Sequence, residues 1–158
     1  MNDVTARPNS LPWPPINFLA AIAVSILLGT FYPLPWFAQP LSGILSAIGW
    51  LMIAAFLALN ISAIRAMRWA GTTVRPDRGT DYLVMEGPFS LTRNPIYLAG
   101  TTLVFGIGLV SGVVWFLLLA VLAAFAVQKL AIEREERHLQ ARFGKTYVDY
   151  AERVRRWI

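Results

Sequence analysis

Residues 83–100, LVMEGPFSLTRNPIYLAG, gather polar and turn-forming side chains that are scarce elsewhere in this 158-residue chain. Gly87-Pro88 marks a turn, Arg93 supplies a fixed positive charge, and Asn94-Pro95 reads as the cap and first residue of a helix. Asn there accepts a bond from a first-turn N–H, while Pro at the next position gives up no bond and has its φ preset. Unpaired N–H groups and the helix dipole attract anions to such a start, with Arg93 beside it. A plainer reading is a well-capped helix whose Arg sits among lipid headgroups.

A second polar group, Glu133-Arg134-Glu135-Glu136-Arg137-His138, follows the last long apolar run. Glu133 and Arg137 are four apart in the favourable order for pairing. Glu135 and Glu136 point about 100° apart on a helix. One of them faces a ligand while the other braces a loop or a cation. Opposed to the Arg93 helix start, they make a cleft with both signs of charge, suited to a zwitterion; otherwise this is a solvated helix.

The elements that must position these groups are read from composition and charge. The chain is 56% hydrophobic and 15% charged, with mean hydropathy +0.53. Soluble domains carry about 25% charged residues, so the chain belongs in a bilayer. There is no Cys and one His, His138, which excludes disulfides, thiolate catalysis and Cys- or His-rich metal sites. Apolar runs at 16–32, 41–64, 95–110 and 113–132 give four spans of an all-α integral membrane protein. Its expected organisation is one membrane domain over 1–158: a loose Pro-rich tail at 1–15, two N-terminal spans over 16–64, and a core over 65–158. With Arg7 as the only early cation, the first run reads as a span and not as a cleaved signal peptide.

Net charge is +5 and the isoelectric point about 10.1. The positions of the cations decide between nucleic acid and membrane as the cause. Arg7 lies in the tail, five arginines lie from Arg65 to Arg93, and eight cations lie from Lys129 onward; none lies at 33–40 or at Ser111-Gly112. This asymmetry puts both termini and the central loop in the cytoplasm, and no nucleic-acid partner is expected. Polar chemistry is therefore confined to the cytoplasmic face, between the central loop and a C-terminal amphipathic helix. In that helix Tyr147, Tyr150, Val154 and Trp157 recur at helical spacing, the pattern of a segment lying on anionic membrane lipids. Thr146 and Asp149 resemble the capping box that opens it. Gly43, Ala47 and Gly49 in the second span and Gly100, Gly106 and Gly108 in the third allow close helix approach.

LVxxGPF, TRNPIYLAG, a helical hairpin, EREERHL and FGKTYVDYAERV occur in an order and at spacings that resemble the membrane methyltransferases comprising isoprenylcysteine carboxyl methyltransferases and phospholipid methyltransferases, especially small bacterial members. The likeness runs from about residue 71 to the end. It implies methyl transfer from S-adenosylmethionine to a lipophilic substrate that enters from the bilayer, in a bacterial plasma membrane. By this resemblance Leu83, Val84, Phe89, Asn94, Pro95, Tyr97 and Glu135 line the cofactor, while Arg93 and Glu136 orient the loop or the substrate. The family's carboxyl methyltransferases have His at the position of Asn94 and Arg at that of Ala131, which speaks against a prenylcysteine carboxylate. Two other readings are a nicotinamide-dependent (NADPH) membrane reductase of related architecture, which needs a phosphate-binding basic cluster, and a non-catalytic membrane scaffold.

Overall fold

A computed structural model describes residues 13–71 and 82–158. The described residues are helical, with no strand among them. The helices are α1 (Trp13–Phe31), α2 (Leu41–Trp69), α3 (Pro95–Ser111), α4 (Val114–Val127), α5 (Glu133–Phe143) and α6 (Lys145–Arg153). A 3-10 turn, Gly87–Ser90, precedes α3, and a π-helical turn, Gln128–Ile132, joins α4 to α5.

Three continuous helices are long and apolar enough to cross a membrane: Trp13–Phe31, Leu41–Trp69 and Val114–Phe143. The apolar α3, at 17 residues, is shorter. Three boundaries differ from the sequence expectation, one of them at the C-terminal helix, where α6 ends at Arg153 and leaves Val154 and Trp157 outside it. α1 starts at Trp13, inside the stretch read as a loose tail, because Pro14 and Pro15 fall in the first turn, where no N–H has an intrahelical acceptor to lose. α2 continues past residue 64 to Trp69, so Arg65 and Arg68 are helical rather than part of a loop. At 29 residues α2 is about 43 Å long. That exceeds a hydrocarbon layer of about 30 Å, so an end of α2 with its two arginines can stand in the headgroups. Arg75, Arg78, Asp77 and Asp81 lie outside the described residues.

Close packing is set by glycines on α3 that face three different neighbours. A Cβ on Gly106 would come within 2.9 Å of the Gly49 carbonyl oxygen on α2, and a Cβ on Gly49 within 2.8 Å of the Gly106 carbonyl oxygen. Gly100 faces the Phe18 ring of α1, and Gly108 faces Phe116 and Leu117 of α4. Gly43, the other candidate on α2, meets only Gln39 of its own lead-in. At the hairpin Gly112 closes α3 at φ +72°, and a Cβ there would sit 3.0 Å from the Trp36 ring. The two uncharged connections therefore pack together at one end of the bundle. Two polar contacts tie α1 to the α4 segment: Asn17 Nδ2 donates to Ala123 O at 2.7 Å, and Trp115 Nε1 to Tyr32 O at 2.7 Å.

Replacing Gly106 with Ala places a methyl group against backbone that cannot rotate away. An expected loss of about 1–3 kcal/mol is checked as a lower thermal midpoint of the detergent-purified protein.

Candidate functional site

At the end of the bundle opposite those connections, three segments enclose a cavity of about 130 Å³. The first is the lead-in to α3. Leu83, Val84 and Met85 run without regular structure, and Leu83 is buried against Tyr147 and Tyr150. Gly87 then turns the chain at φ +61°, a conformation that favours glycine, and the 3-10 turn buries Pro88 and brings Phe89 to the cavity.

Asn94 is the cap residue of α3 and Pro95 its first residue, as the dipeptide predicts, but the bonding differs. The Asn94 side chain makes no capping bond to the helix; its Nδ2 donates to Arg156 O at 3.0 Å. Two neighbours reach the same C-terminal segment: Arg93 N donates to Arg155 O at 2.9 Å, and Thr92 Oγ1 to Arg156 O at 3.1 Å. The bond engages the amide nitrogen, and Oδ1, the atom a cap would use, makes no bond to the helix.

The second segment is α5. Glu135 and Glu136 both reach the cavity but take different partners. Glu135 Oε1 accepts a 2.5 Å bond from Tyr97 Oη, and no ion pair reaches this carboxylate among the described residues. Glu136 is the brace. Arg156 donates to it through Nε at 2.9 Å and Nη2 at 2.6 Å, and Arg93 Nη1 lies 3.2 Å from Oε1. The carboxylate holds the Arg156 guanidinium above its usual pKa through these hydrogen bonds. The expected Glu133–Arg137 pair is replaced by Lys129 bonding Glu133 at 2.7 Å from one turn earlier.

The third segment is α6, where the sequence reading needs correction. Tyr147 and Tyr150 do not lie on lipid; both are buried and line the cavity. Their rings meet edge to face with centroids 6.2 Å apart. Tyr150 Oη donates to Phe89 O at 2.7 Å, and Arg93 Nη1 donates to Tyr147 Oη at 3.3 Å. Burial pushes both phenols above their usual pKa, so both stay neutral hydroxyls. The capping box does not form: α6 opens on Gly144, and Asp149 binds Lys145 at 2.8 Å instead of reaching back to Thr146. Trp157 is likewise turned inward, its Nε1 donating to Gln128 Oε1 at 2.9 Å.

Of the nine residues singled out from sequence, Leu83, Val84, Phe89, Arg93, Asn94, Glu135 and Glu136 line the cavity together. Pro95 and Tyr97 do not: Pro95 is fully buried at the helix start, and Tyr97 stands behind Glu135. His138 is buried on α5 outside the lining. Met67, Leu139, Tyr147 and Tyr150 complete the wall. The two tyrosines were visible as a helical face, but nothing in the sequence distinguishes a face turned to lipid from one turned to the site. Arg93 is half of an unfinished arrangement, since its Nε is buried with no hydrogen-bond partner among the described residues. Such a donor costs about 1–3 kcal/mol if left unpaired.

A family model described as phospholipid methyltransferase matches residues 44–146. Neither the curated proteins nor the solved structures gave a match.

Loss of the Tyr150 hydroxyl in Tyr150→Phe removes the bond that ties α6 to the 3-10 turn. The expected cost is about 1 kcal/mol, measured as a lower thermal midpoint, with hydrogen exchange rising at 87–91 before it rises in α3.

Proposed function

We propose that this chain, which belongs to the phospholipid methyltransferase family, is an integral membrane enzyme that transfers a methyl group from S-adenosylmethionine to a lipophilic molecule drawn from the bilayer. The observation that carries this reading is a small cavity holding Glu135, a carboxylate with no ion pair among the described residues, and Arg93, a cation whose buried Nε has no partner among them, between apolar and aromatic walls. That donor set fits a cofactor bearing an ammonium, a sulfonium and a carboxylate. Glu135 would hold the cationic part, Arg93 and Asn94 the carboxylate, and Leu83, Val84 and Phe89 the flat apolar part.

When bound, S-adenosylmethionine supplies an electrophilic methyl group that is displaced in line by the nucleophile. The chain contributes alignment and exclusion of water, the two effects that lower such a barrier most. Leu83, Leu139, Tyr147 and Tyr150 provide the dry wall. A carboxylate nucleophile needs no base, whereas an amine must shed a proton, and Glu135 and Glu136 are the carboxylates among the lining residues. Ala131 is fully buried in the packing of Val127 and Ile132, so the position supplies no cation for a substrate carboxylate. This supports a substrate other than a prenylcysteine carboxylate. The distribution of Lys and Arg supports a site on the cytoplasmic face of the membrane, with both termini on that side, and the resemblance to small bacterial members supports a bacterial plasma membrane.

Calorimetric titration with S-adenosylhomocysteine tests the cofactor. The parent protein is expected to bind, with Glu135→Ala and Asn94→Ala each weakening affinity about ten-fold while remaining folded. No binding by folded parent in detergent and in bilayers would overturn the proposal. Orientation has a separate check, because the chain has no cysteine to interfere. In intact cells a membrane-impermeant thiol reagent is expected to label Gln39→Cys, and to label Ser90→Cys only after permeabilisation.

A further inference from the structure

We propose that Arg156, which does not line the cavity, is a positioning residue that keeps Arg93 available to an anionic group of the ligand by occupying Glu136 itself; this rests on the methyltransferase reading of the site. Glu136 has two arginines within reach and shares itself unequally. Arg156 takes both of its oxygens in a two-pronged hydrogen bond, at 2.9 and 2.6 Å. Arg93 keeps a single ion-pair contact at 3.2 Å through Nη1 and a long 3.3 Å bond to Tyr147 from the same nitrogen. Its Nε is buried without a partner among the described residues. Two-pronged arginine–carboxylate pairs are stronger and more directional than single contacts. Hence the outer arginine saturates the carboxylate and the inner one stays under-coordinated beside the cavity.

Arg156 also acts through its main chain. Its carbonyl accepts from Thr92 Oγ1 and Asn94 Nδ2, and the Arg155 carbonyl accepts from Arg93 N. Residues 154–158, which follow the last helix, therefore bind the backbone and side chains on either side of Arg93 while neutralising the acid that would otherwise capture it. Without the Arg156 side chain, Glu136 turns both oxygens to Arg93, and the ligand's anion must compete with an internal carboxylate.

The test compares two probes, S-adenosylhomocysteine and 5′-methylthioadenosine, which lacks the amino-acid end and so presents no carboxylate. Arg156→Gln is expected to bind S-adenosylhomocysteine about ten-fold more weakly than the parent and methylthioadenosine equally well. Adding Glu136→Gln to that variant removes the captor and is expected to restore most of the lost affinity, a coupling that a structural defect would not produce. If Arg156→Gln does not fold, Arg156→Lys is expected to show the same selective loss in smaller measure, since lysine keeps the charge but leaves one Glu136 oxygen to Arg93. Unchanged affinity for S-adenosylhomocysteine, equal weakening of both probes, or no recovery in the double variant would overturn the proposal. Failure of the parent to bind either probe would instead bring down the methyltransferase reading and this one with it.

Discussion

The carboxylate of Glu136 is the point on which the site depends. It joins three stretches that are distant in sequence: the lead-in to α3 through Arg93, the helix α5 that carries it, and the C-terminal segment through Arg156. Glu136 and Arg93 are largely withdrawn from solvent, while Arg156 is about one-third exposed. Bringing such charges out of water is costly, and only good geometry with several hydrogen bonds offsets that cost. Loss of one partner leaves an uncompensated charge, so the cluster holds as a unit. The main-chain bonds from 92–94 to Arg155 and Arg156 reinforce the same closure with neutral groups.

Below this cluster, the bundle sets where the three stretches can meet. Reciprocal backbone contact between Gly49 and Gly106 lets α2 and α3 approach closely, and the most extensive helix interface in the structure results. Within a membrane, association gains little from the hydrophobic effect, so van der Waals contact of this kind carries the packing. The hairpin at Gly112 then returns the chain, and α4 with its π-helical continuation projects α5 to the charged end. The extra residue of a π turn shifts the register of everything after it, and such turns occur often at functional sites. Here it lies between the buried apolar face of α4 and the two glutamates.

Aromatic side chains complete the enclosure without adding charge. Tyr147 and Tyr150 line the cavity while each hydroxyl takes part in a hydrogen bond, one with Arg93 and one with the Phe89 carbonyl. A tyrosine in this place is both wall and clasp. Trp157 does the same for the last residues by bonding Gln128 in the π turn, so the end of the chain is held to the bundle at two separate points.

Much of this was determined by sequence because it depends on composition and local stereochemistry. Apolar runs long enough to span a bilayer, the absence of charge at 33–40 and Ser111-Gly112, Gly87 and Gly112 at turns with positive φ, and Pro95 at a helix start follow from the chain itself. The different partners of Glu135 and Glu136 are compatible with their angular separation on a helix, but both line the cavity, and Arg93 and Arg156 make Glu136 the brace. Tertiary structure decided the partners. Asn94 bonded the Arg156 carbonyl and Glu136 drew in Arg93 and Arg156, all across distant segments, whereas Glu133–Lys129 and Asp149–Lys145 are local pairs four residues apart. The apolar face of α6 had lipid as one option and the cavity as another, and helical periodicity is the same for both. Pattern reports which residues share a face or a turn, but which competing partner lies nearest in space is set by distant segments folding together.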